Sequence, residues 1–148
     1  MDFYNKTPEE LAAFYTKTMN RINKGDGYAN LSHIVVTKLQ DRYAEGELTI
    51  TPETLNPRGI VHGGCLATLA DTVSGVAAHS TGLGCVTLNC TMNFLRPATG
   101  KKVYCRSRVE KTGRTIQVCQ ATLLNDQGET VATGTFTFYA MGPLELPE

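Results

Sequence analysis

Several common features are missing from this 148-residue chain, and each absence excludes something. Lys and Arg together number 14, as do Asp and Glu, so no excess of either sign draws the chain to nucleic acid or to an anionic membrane. No apolar run approaches the roughly 20 residues that span a bilayer as a helix. The start, MDFYNKTPEELAAFY, has no basic flank leading into an apolar block, so it does not read as a signal peptide. No CxxC pair occurs among the five cysteines Cys65, Cys85, Cys90, Cys105 and Cys119. An odd number without an export signal reads as reduced thiols in a cytoplasm, most of them small core residues. His33, His62 and His79 are scattered without ligand spacing, so no metal site is expected. There is no internal repeat, low-complexity tract or linker, and the length suits one domain with its own core.

What is present has clear punctuation. Thr7-Pro8-Glu9-Glu10 is a helix start, with Thr7 as cap, Pro8 at the first helical position and Glu10 completing a capping box. Leu11, Phe14, Tyr15, Thr18, Met19 and Ile22 follow at helical spacing and Gly25 ends the run, which predicts a surface helix over about 8–24. Residues 31–51 read as a hairpin turning at Gln40-Asp41-Arg42. A loop with Pro52, Pro57 and Gly59 leads to a helix over about 63–80. Four strand-like runs follow, about 84–95, 101–110, 114–124 and 129–140, broken by Arg96-Pro97-Ala98-Thr99-Gly100, Lys111-Thr112-Gly113 and Asn125-Asp126-Gln127-Gly128. In the first run Val86, Leu88, Cys90, Met92 and Phe94 fall on one side, expected to face the helix, and Thr87, Asn89, Thr91 and Asn93 on the other. Short turns imply antiparallel neighbours, so one antiparallel sheet with one long helix early in its order is the economical architecture.

The helix carries a single acid. Leu66, Leu69, Ala70, Val73 and Ala77 form the stripe that packs on the sheet. The opposite side shows Gly64, Ala67, Thr68, Asp71, Gly75 and Ala78 where a surface helix shows Lys and Glu, so a second body is expected to cover it. A carboxylate there needs a partner; two readings stand, a structural bond to a nearby loop and a chemical role. His62-Gly63-Gly64 leaves the first helical amides unhindered at the positive end of the dipole, where they can hold an oxygen gaining negative charge. Equally, the glycines can serve only a tight turn into the helix. Gly64 and Asp71 share a face but stand seven residues apart, roughly 10 Å along the axis, too far to meet at one carbon. Two antiparallel copies of the helix about a two-fold axis bring the Gly64 amide of one chain to the Asp71 of the other, giving two sites per dimer.

The pattern Asn56-x-x-Gly59-x-x-His62-Gly63-Gly64 followed by Leu69-Ala70-Asp71 resembles the hotdog-fold acyl-CoA thioesterases, in particular the phenylacetate-degradation (PaaI-like) branch. The FLRPATG and VEKTGRT segments resemble it too, and the likeness covers roughly residues 30–140. The resemblance implies an α+β hotdog fold: a long central helix wrapped by a curved antiparallel sheet, here with an extra N-terminal helix before a core of about 30–141. It implies paired subunits whose sheets join, as a dimer or a dimer of dimers, and an acyl-CoA substrate at the subunit interface. No cofactor is implied, since CoA is part of the substrate. Asp71 resembles the catalytic carboxylate, nucleophile or base for water, and Gly64 the amide that polarises the thioester carbonyl. Asn56 resembles the amide side chain that orients water or thioester. His62 stands in the place of the family's histidine, and Thr87 falls where related enzymes place a hydroxyl near the attacking water. Strand alternation sets Thr87 on the side away from the helix, against that role. Gly63 and the cations Arg96, Lys111 and Arg114, with Gly113 in the turn between the last two, are the implied substrate contacts; each cation alone reads equally as a solvated turn residue.

Other classes fit less well. A hydroxyacyl thioester dehydratase pairs its His and acid in a different motif, and the thioesterase branch with a DxNxH-type stretch lacks a counterpart here. Related HGG enzymes use Glu on the helix instead of Asp. A non-catalytic acyl-CoA-binding hotdog module can lose the acid or gain a DNA-binding segment, whereas Asn56, Gly64 and Asp71 are all present and the N-terminal helix has no helix-turn-helix partner. A cysteine hydrolase built on Cys65 lacks a His-Asp relay, and Cys65 points about 100° away from Gly64.

Overall fold

The computed structural model describes residues 3–147. Helix α1 (Pro8–Asn23) starts as its sequence dictates: the Glu10 N–H donates to Thr7 Oγ1 at 3.2 Å and the Thr7 N–H donates to the Glu10 carboxylate at 2.8 Å. A single turn, α2 (Tyr28–Leu31), leads into a hairpin of β1 (Ile34–Gln40) and β2 (Tyr43–Thr49) joined through Asp41-Arg42. Helix α3 (Gly63–His79) follows, then β3 (Leu83–Phe94), β4 (Lys102–Thr112), β5 (Ile116–Leu124) and β6 (Thr130–Pro143). The six strands form one antiparallel sheet in the order β1-β2-β4-β5-β6-β3. It curls so far that α3 touches every strand, the hotdog arrangement that the resemblance implies.

The order corrects one expectation. β3 and β4 are successive but not neighbours, because the segment 95–101 between them is a crossover rather than a hairpin turn. It is strapped down along the way: Leu95 N–H donates to Val131 O, Val61 N–H to Ala98 O, and Ile50 N–H to Lys101 O, with Ala98 fully buried. β3 therefore pairs with β6, and β4 with β2.

The stripe Leu66, Leu69, Ala70, Val73 and Ala77 is buried against the sheet. At Gly46 a Cβ would stand 2.6 Å from Val73 Cγ2, so glycine is what lets β2 come that close to the helix. The small-residue face of α3 is covered differently from the expectation. Ala78 is buried by the chain itself and Gly75 faces the Phe138 ring, whereas Gly64 is exposed and Ala67, Thr68 and Asp71 are half-buried. Only the first half of that face is left open to a second body. None of the described helices is long and apolar enough to cross a membrane.

Candidate active site

The lone acid has a partner. Thr87 Oγ1 donates to Asp71 Oδ1 at 2.7 Å, joining the middle of α3 to β3. The residue expected to face away from the helix thus faces its carboxylate. The reason is a β-bulge: the register with β6 slips between Thr87 and Asn89, so Thr87 opposes Phe138 and Cys90 opposes Phe136, both on the inner side. Beyond the slip the expected alternation holds, with Cys90, Met92 and Phe94 on the side of β6's buried Phe136 and Ala132. Before it the pattern inverts. Val86, opposite Tyr139, belongs to the outer side, and it and Leu88 are 47% and 57% exposed instead of packing on α3.

The helix start is built by His62. Its Nδ1 accepts from the Gly64 N–H at 2.8 Å, so the ring caps α3. This corrects the assignment of Gly64 as the free oxyanion donor: its amide is already engaged. The Gly63 N–H has no partner among the described residues, and a Cβ on Gly63 would lie an ordinary 3.5 Å from the Phe94 ring. The open amide at this helix start is therefore that of Gly63. Asn56 shapes the approach: its Oδ1 accepts from Arg58 N–H at 2.9 Å and its backbone pairs with Ile60 and Gly59, an Asx turn that leaves the side-chain NH2 as a donor. His62 N–H donates to Thr54 O, which ties this loop to the helix start.

The cations implied as substrate contacts are not brought together. Arg96 follows the end of β3 and is ion-paired with Glu129. Lys111, Gly113 and Arg114 lie at the β4–β5 turn, level with the beginning of β3, since Ala140 both pairs with Cys85 and donates its N–H to Thr115 O. The two groups stand roughly 30 Å apart along the strand direction. One chain does not assemble them into a single cradle.

Cys65 and Cys85 do not offer a nucleophile. Burial pushes Cys65 up, opposite to what a thiolate at a helix start requires. Cys85 is pushed up to about 12, first by burial and then by the Asp71 charge beside it. Burial holds His79 below its ordinary range, against a hydrogen bond to the Cys85 backbone. Among the described residues no three His, Cys, Asp or Glu side chains stand close enough to share a metal ion.

A helix wrapped by one curved sheet, with a threonine-held carboxylate on its open face near the sheet's edge, defines a hotdog-fold protein. The chain belongs to the thioesterase superfamily, whose family model matches residues 58–132. It is 33% identical over 110 residues to the acyl-coenzyme A thioesterase PaaI of Escherichia coli, covering 74% of this chain and 79% of that protein. The structure of the E. coli PaaI protein from the phenylacetic acid degradation operon superposes with a TM-score of 0.83 at 28% identity, over 90% of this chain and 97% of that one. A hypothetical thioesterase from Streptococcus pneumoniae solved with coenzyme A gives 0.78 at 27% identity, over 85% and 99%. Two further structures of that thioesterase carry alanine for one aspartate and for one threonine sixteen positions further on.

Proposed function

We propose that this chain hydrolyses acyl-CoA thioesters to the free acid and CoA at a site shared between two copies of itself. The observation that carries the reading is the Asp71–Thr87 hydrogen bond at the open half of α3. The same two residue types at the same spacing are those replaced in the pneumococcal thioesterase, which supports a joint role for the pair here. Thr87 holds one carboxylate oxygen, leaving the other to attack the thioester carbon or to take a proton from the water that does. In either case the C–S bond breaks and CoA leaves as a thiolate that is protonated; on the nucleophilic route the acyl-aspartate anhydride left behind is then hydrolysed by water, which regenerates the carboxylate, and on the general-base route water itself attacks the thioester carbon. The carbonyl oxygen needs a donor as it becomes anionic. Gly63 of the same helix is eight residues from Asp71, roughly 12 Å along the axis, so the donor comes from a second chain whose α3 runs antiparallel. The exposed edge of β3 is the surface on which the sheets of such a dimer join, and further pairing of dimers is compatible with it. Asn56 supplies a side-chain N–H beside the helix start. Lys111 and Arg114, which form no ion pair among the described residues, are the assigned phosphate contacts. Five free thiols fit a reducing cytoplasm.

Asp71→Asn should lower thiol release from a good acyl-CoA by orders of magnitude with the circular dichroism unchanged; wild-type turnover in that variant would end the reading. Gly63→Pro removes the open N–H at the one helical position where proline fits, behind a His62 already extended (φ −59, ψ 134). It should cost about 100- to 1000-fold in kcat. Mixing the two inactive variants should restore activity if each site draws on both chains.

A further inference from the structure

The site continues past the carboxylate. Asp71, Gly75 and His79 stand at i, i+4 and i+8, one row along α3, and all three are half-buried. Facing them on the inner side of β3 are Thr87, bonded to Asp71, and Cys85, whose carbonyl meets the His79 ring. Helix and strand thus form two walls running from the carboxylate toward the C-terminal end of α3. Gly75 leaves the floor without a side chain: a Cβ there would meet only the Phe138 ring, at 3.6 Å. The walls end at a cavity of about 270 Å³ lined by His79, Cys85, Thr18, Ile22, Met141 and Leu144. Its roof comes from α1 and the C-terminal tail, pinned together where Arg21 Nη1 donates to Glu145 O at 2.7 Å. Both roof segments lie outside the residues that match the family model.

We propose that the acyl group of the substrate runs from Asp71 past Gly75 into this cavity, so that α1 and the tail set its length. The inference rests on the thioesterase reading of Asp71. A thioester whose carbonyl carbon sits at Asp71 has one mostly apolar direction available on that chain, along Gly75 to Ile22 and Leu144, and burying methylenes there is favourable. A cavity of this size has room for a chain of several methylenes. The occupant is therefore a medium-length acyl group or one of equal bulk; a long chain overfills the space and a short one leaves it empty.

The test is kcat/KM by thiol release for butyryl-, octanoyl- and palmitoyl-CoA. Wild type should favour octanoyl over both. Gly75→Val narrows the floor and Ile22→Phe fills the cavity from α1; each should lower the octanoyl-to-butyryl ratio by about tenfold or more, the discrimination expected of a pocket that loses methylene-sized space. Ile22→Ala should move preference toward palmitoyl. Circular dichroism establishes which variants fold, and Ile22→Ala keeps the question decidable if the larger side chains do not. Ratios that stay within about twofold of wild type in folded variants would overturn the acyl pocket while leaving the thioesterase standing. A wild-type protein that hydrolyses none of the three, nor phenylacetyl-CoA, would instead remove the thioesterase reading, and the pocket with it.

Discussion

The sheet has two outer strands, and they treat their free edges in opposite ways. β1 is seven residues long, breaks register between Val36 and Lys38, and has a helix laid against it. Asn23 of α1 closes the edge: its Oδ1 accepts from Val36 N–H at 2.9 Å and its Nδ2 donates to Val36 O at 2.7 Å. A side-chain amide thus stands where another strand would pair. β3 is twelve residues long, and no described residue pairs with its outer edge. Val86, Leu88, Phe94 and Leu95 are exposed along or just beyond it. A long, bare, apolar edge is a liability that folded proteins ordinarily blunt, as this one does at β1. The difference supports the proposal that a second chain joins at β3. The blocked edge is structural, and the bare one carries Thr87 and flanks Asp71.

The comparison breaks most visibly by charging each edge in turn. Val86→Lys with Leu88→Lys puts two cations where the second chain is to pair. The expected outcome is dissociation in sedimentation velocity and loss of at least about 100-fold in acyl-CoA turnover, the scale of a missing oxyanion donor. Val35→Lys, on an equally exposed side chain of β1, should change neither. Dissociated chains that keep full activity would place the whole site within one subunit.

Thr87→Val sharpens the contrast at the site itself. It keeps the strand and its β-branched shape and removes only the hydroxyl bonded to Asp71. A hydrogen bond to a charged group contributes about 1.5–3 kcal/mol, so kcat should fall roughly 10- to 100-fold with the dimer intact. A rate like that of wild type would reduce the bond to an architectural one.

How much of this was legible beforehand depends on how local each cause is. The Thr7–Glu10 box, the α3 limits and the strand limits rest on short-range patterns, and they are met within one to three residues at nearly every boundary. The lone Asp71 amid small residues announced itself because charge on such a face is costly. Alternation put Thr87 on the wrong side, against the resemblance, because it assumes no bulge, and a one-residue slip moves a side chain to the other face. The β3–β6 pairing was hidden because the crossover at 95–101 is no longer than many turns. The Gly64 amide looked free because nothing in His-Gly-Gly reveals that the imidazole folds back as the cap. The Asp71, Gly75, His79 row was readable at i+4 spacing, but its meaning appears only when Cys85 and α1 are placed beside it. Asn23 gave no signal at all: its clamp is made to backbone thirteen residues away.

Asn23→Ala probes the protected edge. It deprives the Val36 N–H and C=O of their partners at a half-buried position, which should lower stability by about 1–2 kcal/mol in urea unfolding. Activity per folded molecule should hold, since α3 and β3 are untouched. A loss of activity without a loss of stability would mean that the two edges are coupled.

The smallest expected effect lies where α1 and the tail cover the end of α3. His79 is half-buried there, and burial holds it below its ordinary value of 6.5, with the Arg21 charge acting in the same direction. The unfolded chain therefore binds a proton at this residue at a higher pH than the folded one. Its contribution is fully present above about pH 6.5 and is lost as the pH falls through the lower folded value. His79→Gln cannot titrate, so the fall in unfolding free energy between about pH 7 and pH 5 should be shallower than in wild type. The same substitution leaves the β3 edge alone, and the dimer should persist across that range. An unchanged slope would show that the covered end admits enough water to relieve the ring, and the contrast between a sealed end and an open one along α3 would then fail.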